Sequence, residues 1–394
     1  MNGGFFSTLL GFQRFKVRSA QRSERLEPLN ESNRKIFFMA SLPKISIVVP
    51  TRNRRRLLEE TVRSIFAQSF SNWELIIVDD VSEDSTWSWL QGLSNPRVTK
   101  IRLEERHEQC GSRNVGLRAA QGEFFISLDD DDLLPERALE THVSVLEQYP
   151  DIIASVGGWI TFDESRSRKA NRIIRRRTLR PIWKDVLFGW VPVSGQCMFR
   201  TETLRSICGW DESFIRATDH ELWSRLGRLG QVVLSPDIVL LYRVHSGQWR
   251  PRNLNEIMIE ARAQTIRKLN GIEREEGERF LRAGILARTA WRHYGHAEAF
   301  QAFKLYCKIL RMAPEVLRSP VCRPMVLKPM LGCLAGGLGL RVGRKLQSSI
   351  NRMLKREIKV TADVNVDSDG RLHALSKGNT NASSSSANGV EPVN

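Results

Sequence analysis

The chain lacks the cysteine patterns that mark metal or disulfide sites. Its six cysteines are scattered over 394 residues, and no two of them form a Cys-x-x-Cys pair. The sequence therefore predicts neither a zinc site nor a disulfide framework. Unpaired, scattered cysteines are typical of a reducing, cytoplasmic setting.

Long hydrophobic runs are missing as well. No segment reaches the roughly 20 continuous apolar residues of a membrane span, and the apolar stretch 330–340 is short and rich in glycine. Residues 1–40 contain no apolar core of the length found in signal peptides. Met39 stands just before the first clear strand pattern and is an alternative start. These features favour a cytoplasmic protein.

Basic residues outnumber acidic ones. Sixty Lys and Arg against 44 Asp and Glu give a formal net charge of +16. A basic balance is typical of proteins that bind nucleic acid, anionic membranes or phosphorylated substrates. Zinc-finger spacing, RNP-like aromatics and a basic helix with heptads are absent, so nucleic acid is the least favoured partner. The segment 328–355 mixes apolar patches with Arg and Lys, which predicts either peripheral contact with the inner face of a membrane or a solvated helix surface.

Apolar runs alternate with helical stripes between residues 44 and 158. This alternation predicts an α/β fold with a mostly parallel sheet that helices cover on both faces. The predicted strands are 45–49, 73–78, 98–103, 124–128 and 152–156. Further along, we expect a mobile loop over 166–180 and a strand, turn and strand over 232–244.

Polar clusters follow three of the predicted strands: Pro50-Thr51-Arg52-Asn53, Asp79-Asp80 and Asp129 to Asp132. Ligands of parallel sheets bind at the carboxyl ends of the strands, where these clusters should meet. Four adjacent carboxylates repel one another unless a cation relieves the repulsion, and hard oxygen ligands suit Mg²⁺ or Mn²⁺ with substrate phosphates. A solvated acidic loop with a helix cap is the alternative.

Taken in order, these and later motifs resemble the family 2 glycosyltransferases, which are inverting, nucleotide-sugar-dependent enzymes with the GT-A fold. The matching segments are Ile45–Arg54, Trp73–Asp80, Gly111–Arg118, Gly122–Asp132, Cys208–Glu212, Thr218–Asp219 and Tyr242–His245. The resemblance implies a GT-A-type nucleotide-binding domain with a mostly parallel mixed sheet. The helical pattern after residue 250 adds a C-terminal helical appendage.

The resemblance also implies roles for particular residues. Asp219 would be the catalytic base, and Asp131 with His245 would hold a divalent metal, Mn²⁺ or Mg²⁺. Asp132 and Trp210 would contact the acceptor or the donor. The nucleotide-sugar would be bound by Pro50, Thr51, Asn53, Asp79, Asp80, Arg113, Asp129 and Asp130.

Structural alternatives stay open for several of these residues. Asp132 also suits a helix cap, Arg113 a surface ion pair, and Trp210 core packing. A lone histidine such as His245 is often structural. Most family members have an acid directly before the base, whereas this chain has Thr218; this departure leaves the base in place and bears on contacts with the acceptor.

The function that the resemblance implies is transfer of a sugar from a nucleoside-diphosphate donor, most simply a UDP-sugar. The acceptor would be a glycan or lipid-linked molecule in the synthesis of a cell-envelope polysaccharide or glycoconjugate. A non-catalytic glycan- or nucleotide-binding relative and a sugar nucleotidyltransferase are the alternatives. The predicted organisation is a disordered extension (1–42), a GT-A domain (43–250, with a nucleotide-sugar half, 43–158, and an acceptor half, 159–250), a helical region (251–358) and a disordered tail (359–394).

Overall fold

Short apolar runs flanked by turn residues build the central sheet, as their β-branched composition predicts. The computed structural model describes residues 42–163, 168–171, 175–245, 248, 253–296, 298–337, 364–366 and 372–374. The predicted N-terminal extension, most of the tail and most of the basic segment 328–355 lie outside the described residues. The strands are β1 (Ile45–Thr51), β2 (Trp73–Asp79), β3 (Val98–Arg102), β4 (Phe124–Ser127), β5 (Ala154–Phe162), β6 (Arg168–Asn171), β7 (Thr178–Pro181), β8 (Cys197–Arg200), β9 (Gln231–Arg243), β10 (Val364–Val366) and β11 (Leu372–Ala374).

Helices connect and cover these strands. They are α1 (Arg55–Phe66), α2 (Thr86–Gly92), α3 (Glu108–Ala119), α4 (Ala138–Gln148), α5 (Trp183–Phe188), α6 (Thr201–Ser206), α7 (Thr218–Leu226), α8 (Leu254–Arg267), α9 (Gly271–Gly295), α10 (Ala299–Met312) and α11 (Arg323–Gly337). Two short 3₁₀ helices span Ser194–Gln196 and Pro314–Leu317. Among the described residues, no helix combines the length and the apolar character needed to cross a membrane.

The main sheet has nine strands and is mixed, as predicted. Its order is β3-β2-β1-β4-β8-β5-β9-β7, with β6 paired to β5. Strands β1 to β4 run parallel, β8 is antiparallel to both β4 and β5, and β9 is parallel to β5. The parallel half brings the ends of β1, β2 and β4 to one edge of the sheet, which is where the polar clusters lie. Strands β10 and β11 form a separate antiparallel pair within the tail that was predicted to be disordered.

The prediction of a strand, turn and strand over 232–244 is wrong, because β9 is continuous. The pairing of β9 with β5 shifts register between Val156 and Gly158, so the turn-like residues 235–237 form a bulge. A β-carbon on Gly157 would lie 2.4 Å from Val239, which explains the glycine beside the bulge. Strands β6 and β7 also lie inside the segment that was predicted to be a loop.

The C-terminal helices share a hydrophobic core with the sheet. One core cluster joins Phe125 of β4 and Phe199 of β8 to Phe280 of α9 and Tyr306 of α10. The second core cluster, on the side of α1 and α4, contains no residue from the C-terminal helices. Helix α9 also packs closely against α5 at Gly284. A β-carbon on Gly284 would lie 2.0 Å from the carbonyl oxygen of Phe188, the last residue of α5. The predicted domain boundary at residue 250 stays a prediction.

Candidate active site

The four aspartates after β4 follow a tight path that the α1 side chain Thr61 holds. Its hydroxyl lies 3.0 Å from the main-chain oxygen of Asp130 and 2.8 Å from that of Asp132. The amide of Asp132 donates to the carbonyl of Asp129 at 3.2 Å. The side chains of the run consequently point in different directions and have different partners.

Asp129 and Asp130 bind partners on different elements. The carboxylate of Asp129 accepts a hydrogen bond from Arg113 of α3 at 2.7 Å. Asp130 accepts from the hydroxyl of Thr51 at 2.7 Å and from Arg54 at 3.0 Å. Asp129 is thus held by α3, whereas Asp130 is anchored at the end of β1.

Asp131 and Asp132 are connected to the end of β9. Asp131 Oδ2 lies 3.1 Å from His245 Nε2 and 2.9 Å from Arg54 Nη1. Asp132 Oδ1 accepts a hydrogen bond from the amide of Arg243 at 2.8 Å, and Arg243 Nε donates to the carbonyl of Asp131 at 2.7 Å. Asp132 therefore fixes the end of β9 instead of capping a helix.

The aspartate run offers a donor set that fits a divalent metal. One carboxylate oxygen from each of Asp129, Asp131 and Asp132 lies within 4.8 Å of the others. Burial raises the pKa of Asp130 to about 7, and burial together with the charges of Asp131 and Asp129 raises the pKa of Asp132 well above its usual range. A hard cation such as Mn²⁺ or Mg²⁺ suits these oxygens and would relieve their repulsion. His245 contacts Asp131, one of these three carboxylates, and its role as a metal ligand stays a prediction.

A second acidic position lies at the end of β2. Asp79 is fully buried, and its Oδ2 accepts from the amide of Ser82 at 3.2 Å. Its Oδ1 is buried without a hydrogen-bond partner among the described residues. Buried carboxylate oxygens normally have partners, so this atom has capacity for a donor from a ligand. Asp80 is already engaged, because its Oδ1 accepts from the amide of His107 at 2.7 Å.

The segment after β1 shapes the loop beside Asp79. Asn53 adopts a positive φ of 53°. Its side-chain oxygen accepts from the amides of Glu83 at 2.7 Å and Asp84 at 3.3 Å. Pro50 is buried within β1. In this structure Asn53 therefore positions the loop, Pro50 is part of the buried strand, and Thr51 positions Asp130.

Asp219 lies in the first turn of α7, where the sequence predicts the base. The hydroxyl of Ser194 donates to its Oδ1 at 2.5 Å, and Arg113 Nη1 is 4.0 Å from the same oxygen. Burial raises the pKa of Asp219, while Arg113 and Ser194 oppose that rise. Its side chain keeps 26% exposure, so the carboxylate remains reachable. A carboxylate with a raised pKa and solvent access is suited to accept a proton.

Arg113 connects the two acidic positions and is not a surface residue. Its side chain is 1% exposed, and it bonds both Asp129 and the hydroxyl of Thr218, at 2.7 and 3.1 Å. Its guanidinium lies 5.5 Å from the ring of Trp210, which is itself buried against Phe125. Trp210 consequently packs in the core, which was the structural alternative, and contact with a ligand stays a prediction for it.

Three residues of the site were missed by sequence reasoning. No role was predicted for Arg54 from the sequence, yet it pairs with Asp130 and Asp131. Ser194 carried no motif signal, and Arg243 was assigned no role although it lies in the matching segment Tyr242–His245; both act through contacts with residues far away in the chain. For Arg54, the signal was its position directly after the first polar cluster.

Comparison with known proteins agrees with this geometry. Residues 46–206 match the family model described as "Glycosyl transferase family 2". The chain is 42% identical over 98 residues to a putative colanic acid biosynthesis glycosyl transferase, WcaA, of Escherichia coli, covering 24% of this chain and 34% of that protein. It is 44% identical over 104 residues to the GalNAc(5)-diNAcBac-PP-undecaprenol beta-1,3-glucosyltransferase of Campylobacter jejuni, covering 25% of this chain and 33% of that protein. The matches therefore span about a third of the length of these two relatives.

The fold has a counterpart among solved structures. The crystal structure of S. aureus TarS 1-349 in complex with UDP-GlcNAc superposes with a TM-score of 0.51 at 18% identity, covering 84% of this chain and 96% of that one. That similarity extends over the mixed sheet and into the C-terminal helices, so it supports the fold of most of the chain. With the family match and the motifs at the strand ends, it shows that residues 46–206 of this chain match the family 2 glycosyltransferases and that the chain has the GT-A fold.

Proposed function

We propose that the chain is an inverting glycosyltransferase that uses Asp219 as its general base. The sugar would move from a nucleoside-diphosphate donor to a hydroxyl of a glycan or lipid-linked acceptor. The observation that carries this proposal is the buried Arg113, which contacts Asp129 of the aspartate run and lies 4.0 Å from Asp219. A single side chain thus sets the spacing between the donor side and the base.

This spacing suits a single displacement. Asp219 accepts the proton of the acceptor hydroxyl while that oxygen attacks the anomeric carbon from the face opposite the diphosphate. The anomeric configuration is inverted, and the sugar passes through an oxocarbenium-like state. Asp131, with Asp129 and Asp132, would hold the metal, which when bound supplies Lewis-acid stabilisation to the departing diphosphate.

The buried Asp79 favours a uridine donor. Its free Oδ1 suits a ring N–H of a base, which uracil presents and which cytosine and adenine do not. Arg102 Nε lies 3.7 Å from the other oxygen of this carboxylate, Oδ2. Guanine also presents a ring N–H but is larger, and the experiment below separates the two.

The acceptor class is proposed from the relatives and from exposed apolar residues. Two relatives are named for colanic acid biosynthesis and for an undecaprenol-linked glycan, which supports polysaccharide or glycoconjugate synthesis. Trp291 of α9 and Phe300 of α10 are 58% and 68% exposed. Lys304 lies 4.3 Å above the ring of Phe300. Exposed aromatics with nearby basic residues are suited to peripheral contact with an anionic membrane, where a lipid-linked acceptor would be found.

A ligand screen tests the proposed function. Thermal unfolding of the full chain is followed with UDP-, GDP-, CDP- and ADP-sugars, each with and without Mn²⁺. We expect one UDP-sugar to stabilise the protein only when metal is present, and to be consumed with inversion when a glycan acceptor is added. Metal-dependent binding without transfer to any acceptor would favour a non-catalytic relative. Release of pyrophosphate from a nucleoside triphosphate and a sugar phosphate would favour a nucleotidyltransferase.

A further inference from the structure

A second cluster of polar side chains lies on the side of α7 that faces the C-terminal helices. Arg262 of α8 and Arg288 of α9 converge on Gly189, at the end of α5. A β-carbon on Gly189 would lie 3.1 Å from Arg262 Nη1 and 3.8 Å from Arg288 Nη2. Gly189 has a φ of 124°, which a residue with a side chain rarely adopts. The two guanidinium groups thus lie beside the main chain of a residue that has no side chain.

Neither of these two arginines has an acidic side chain within salt-bridge distance among the described residues, although the charge of Glu256 partly offsets the lowering of the pKa of Arg288 by burial. Arg262 is 1% exposed, and its Nη1 donates to the carbonyl of Val186 at 3.3 Å. Its Nε is buried without a hydrogen-bond partner among the described residues. Arg288 is half-buried, and its Nη1 donates to the neutral side chain of Asn255. No salt bridge involves either arginine in the part of the chain that the structure describes.

This absence is unusual for buried arginines of this protein. Arg113 pairs with Asp129 at 2.7 Å and Arg243 pairs with Glu60 at 2.8 Å. A buried charge without a salt-bridge partner destabilises the fold, and a ligand that supplies the countercharge would offset this cost. Burial and the neighbouring Arg288 lower the pKa of Arg262 to about 9, which still leaves it cationic at neutral pH.

His220 of α7 completes the cluster. It is 8% exposed, and its Nδ1 has no hydrogen-bond partner among the described residues. Burial, and then the charges of Arg262 and Arg288, lower its pKa well below the usual range, so the ring is neutral. A neutral imidazole still has one N–H to donate. The three side chains together offer two cationic guanidinium groups and one neutral N–H donor.

We propose that Arg262, Arg288 and His220 bind a phosphate group carried by the acceptor. Two guanidinium forks match the several oxygens of a phosphate better than the two oxygens of a carboxylate. Arg288 and Gly189 are only half-buried, so the cluster lies near the surface on this side. Assignment of the phosphate to the acceptor depends on the proposed transferase function, whereas the existence of the anion site does not.

The position of the cluster relative to the base supports the acceptor as its ligand. His220 directly follows Asp219, so the two side chains project from adjoining faces of one helical turn. Ser194, which bonds Asp219, lies only five residues after Gly189. An anion at the cluster and a hydroxyl at Asp219 would be separated by about the width of a helix, roughly 10 Å. An acceptor sugar that carries a phosphate could span this distance.

Calorimetry without metal and without donor tests the anion site. Inorganic phosphate and glucose 1-phosphate are titrated into the full chain in EDTA, which removes the metal that the donor site needs. We expect both to bind, and Arg262→Met and Arg288→Met each to weaken binding by about tenfold or more. Arg292→Met, at an exposed position one turn further along α9, should bind like wild type. Phosphate binding by Arg262→Met or Arg288→Met at the wild-type level would overturn the site.

Stability and donor binding separate a ligand role from a structural one. Because Arg262→Met removes an unpaired buried charge, we expect it to melt at the same or a higher temperature than wild type without phosphate. A clearly lower melting temperature would show that Arg262 stabilises the fold and would contradict the proposal. Every variant should still bind UDP with Mn²⁺; if wild type binds phosphate but not UDP, the transferase proposal fails and the anion site stands. If inorganic phosphate binds and glucose 1-phosphate does not, the assignment to the acceptor is overturned.

Discussion

The bond between Ser194 and Asp219 gives a quantitative test of how the proposed base is tuned. The hydroxyl of Ser194 donates to the Asp219 carboxylate at 2.5 Å. Hydrogen bonds to charged groups contribute about 1.5–3 kcal/mol. Asp219 keeps 26% exposure, so water partly replaces the lost hydroxyl, and we expect the low end of that range. Ser194→Ala should therefore destabilise the ionised carboxylate of Asp219 by about 1.5 kcal/mol. This lowers the acid dissociation constant of Asp219 about tenfold.

The sign of the effect follows from the state that the bond stabilises. Burial already raises the pKa of Asp219, and Ser194 opposes that rise because it binds the ionised carboxylate. Without the hydroxyl the pKa rises further, so the base is protonated over a wider range of acid pH. The acid limb of kcat/KM should move to higher pH. At pH values on the acid side of the limb, kcat/KM of Ser194→Ala should be about tenfold lower than that of wild type. On the plateau at higher pH, it should stay close to the wild-type value.

The assay is kcat/KM measured across pH for Ser194→Ala and wild type. Ser206→Ala is the matched control, because the exposed Ser206 hydroxyl donates only to a main-chain oxygen of its own helix, at 2.8 Å from Thr203. The control should leave the profile unchanged. An equal loss of activity by Ser194→Ala at all pH values, or an acid limb that does not move, would refute the reasoning.

Three further predictions concern packing, metal and membrane. Gly284→Ala should lower the free energy of unfolding in urea by about 2 kcal/mol, because its β-carbon would lie 2.0 Å from main-chain atoms. Gly295→Ala in the same helix is the control: its β-carbon would meet nothing within 4 Å, so this variant should raise the free energy of unfolding by up to about 1 kcal/mol. Asp131→Asn should abolish the Mn²⁺-dependent thermal stabilisation by a nucleoside diphosphate, and retained stabilisation would remove Asp131 from the metal site. Trp291→Ser with Phe300→Ser should reduce co-sedimentation with anionic liposomes, and unchanged sedimentation would sink the membrane proposal.

Much of the fold was predictable because its signals are local. The runs that became β1, β2 and β4 are short, apolar and β-branched or aromatic, and each ends in polar residues. Parallel strands bring these ends to one edge, so the convergence of Thr51, Asp79 and the aspartate run follows from the pattern alone. The run itself could not be divided among its partners from sequence, since four identical residues carry no information about direction.

The remaining features depend on contacts between distant parts of the chain. The link from Asp129 through Arg113 to Asp219 joins residues up to 106 positions apart (113 to 219), and no periodicity encodes it. The turn signal in β9 was overridden by pairing with β5, which accommodates the extra residues as a bulge. The unpaired charges of Arg262 and Arg288 are visible only once the helices are packed, because sequence does not show whether a charge is compensated.

Transfer by Asp219→Asn is the most direct test of the proposed mechanism. Asparagine keeps the shape of the side chain but cannot take a proton at neutral pH, so we expect sugar transfer to fall by about 10² to 10⁴. Metal-dependent binding of the donor should be retained. Asp211→Asn is the control, since Asp211 pairs at the surface with Lys268 at 3.4 Å, and it should transfer sugar normally. Wild-type transfer by Asp219→Asn would show that Asp219 is not the base and would contradict the central claim.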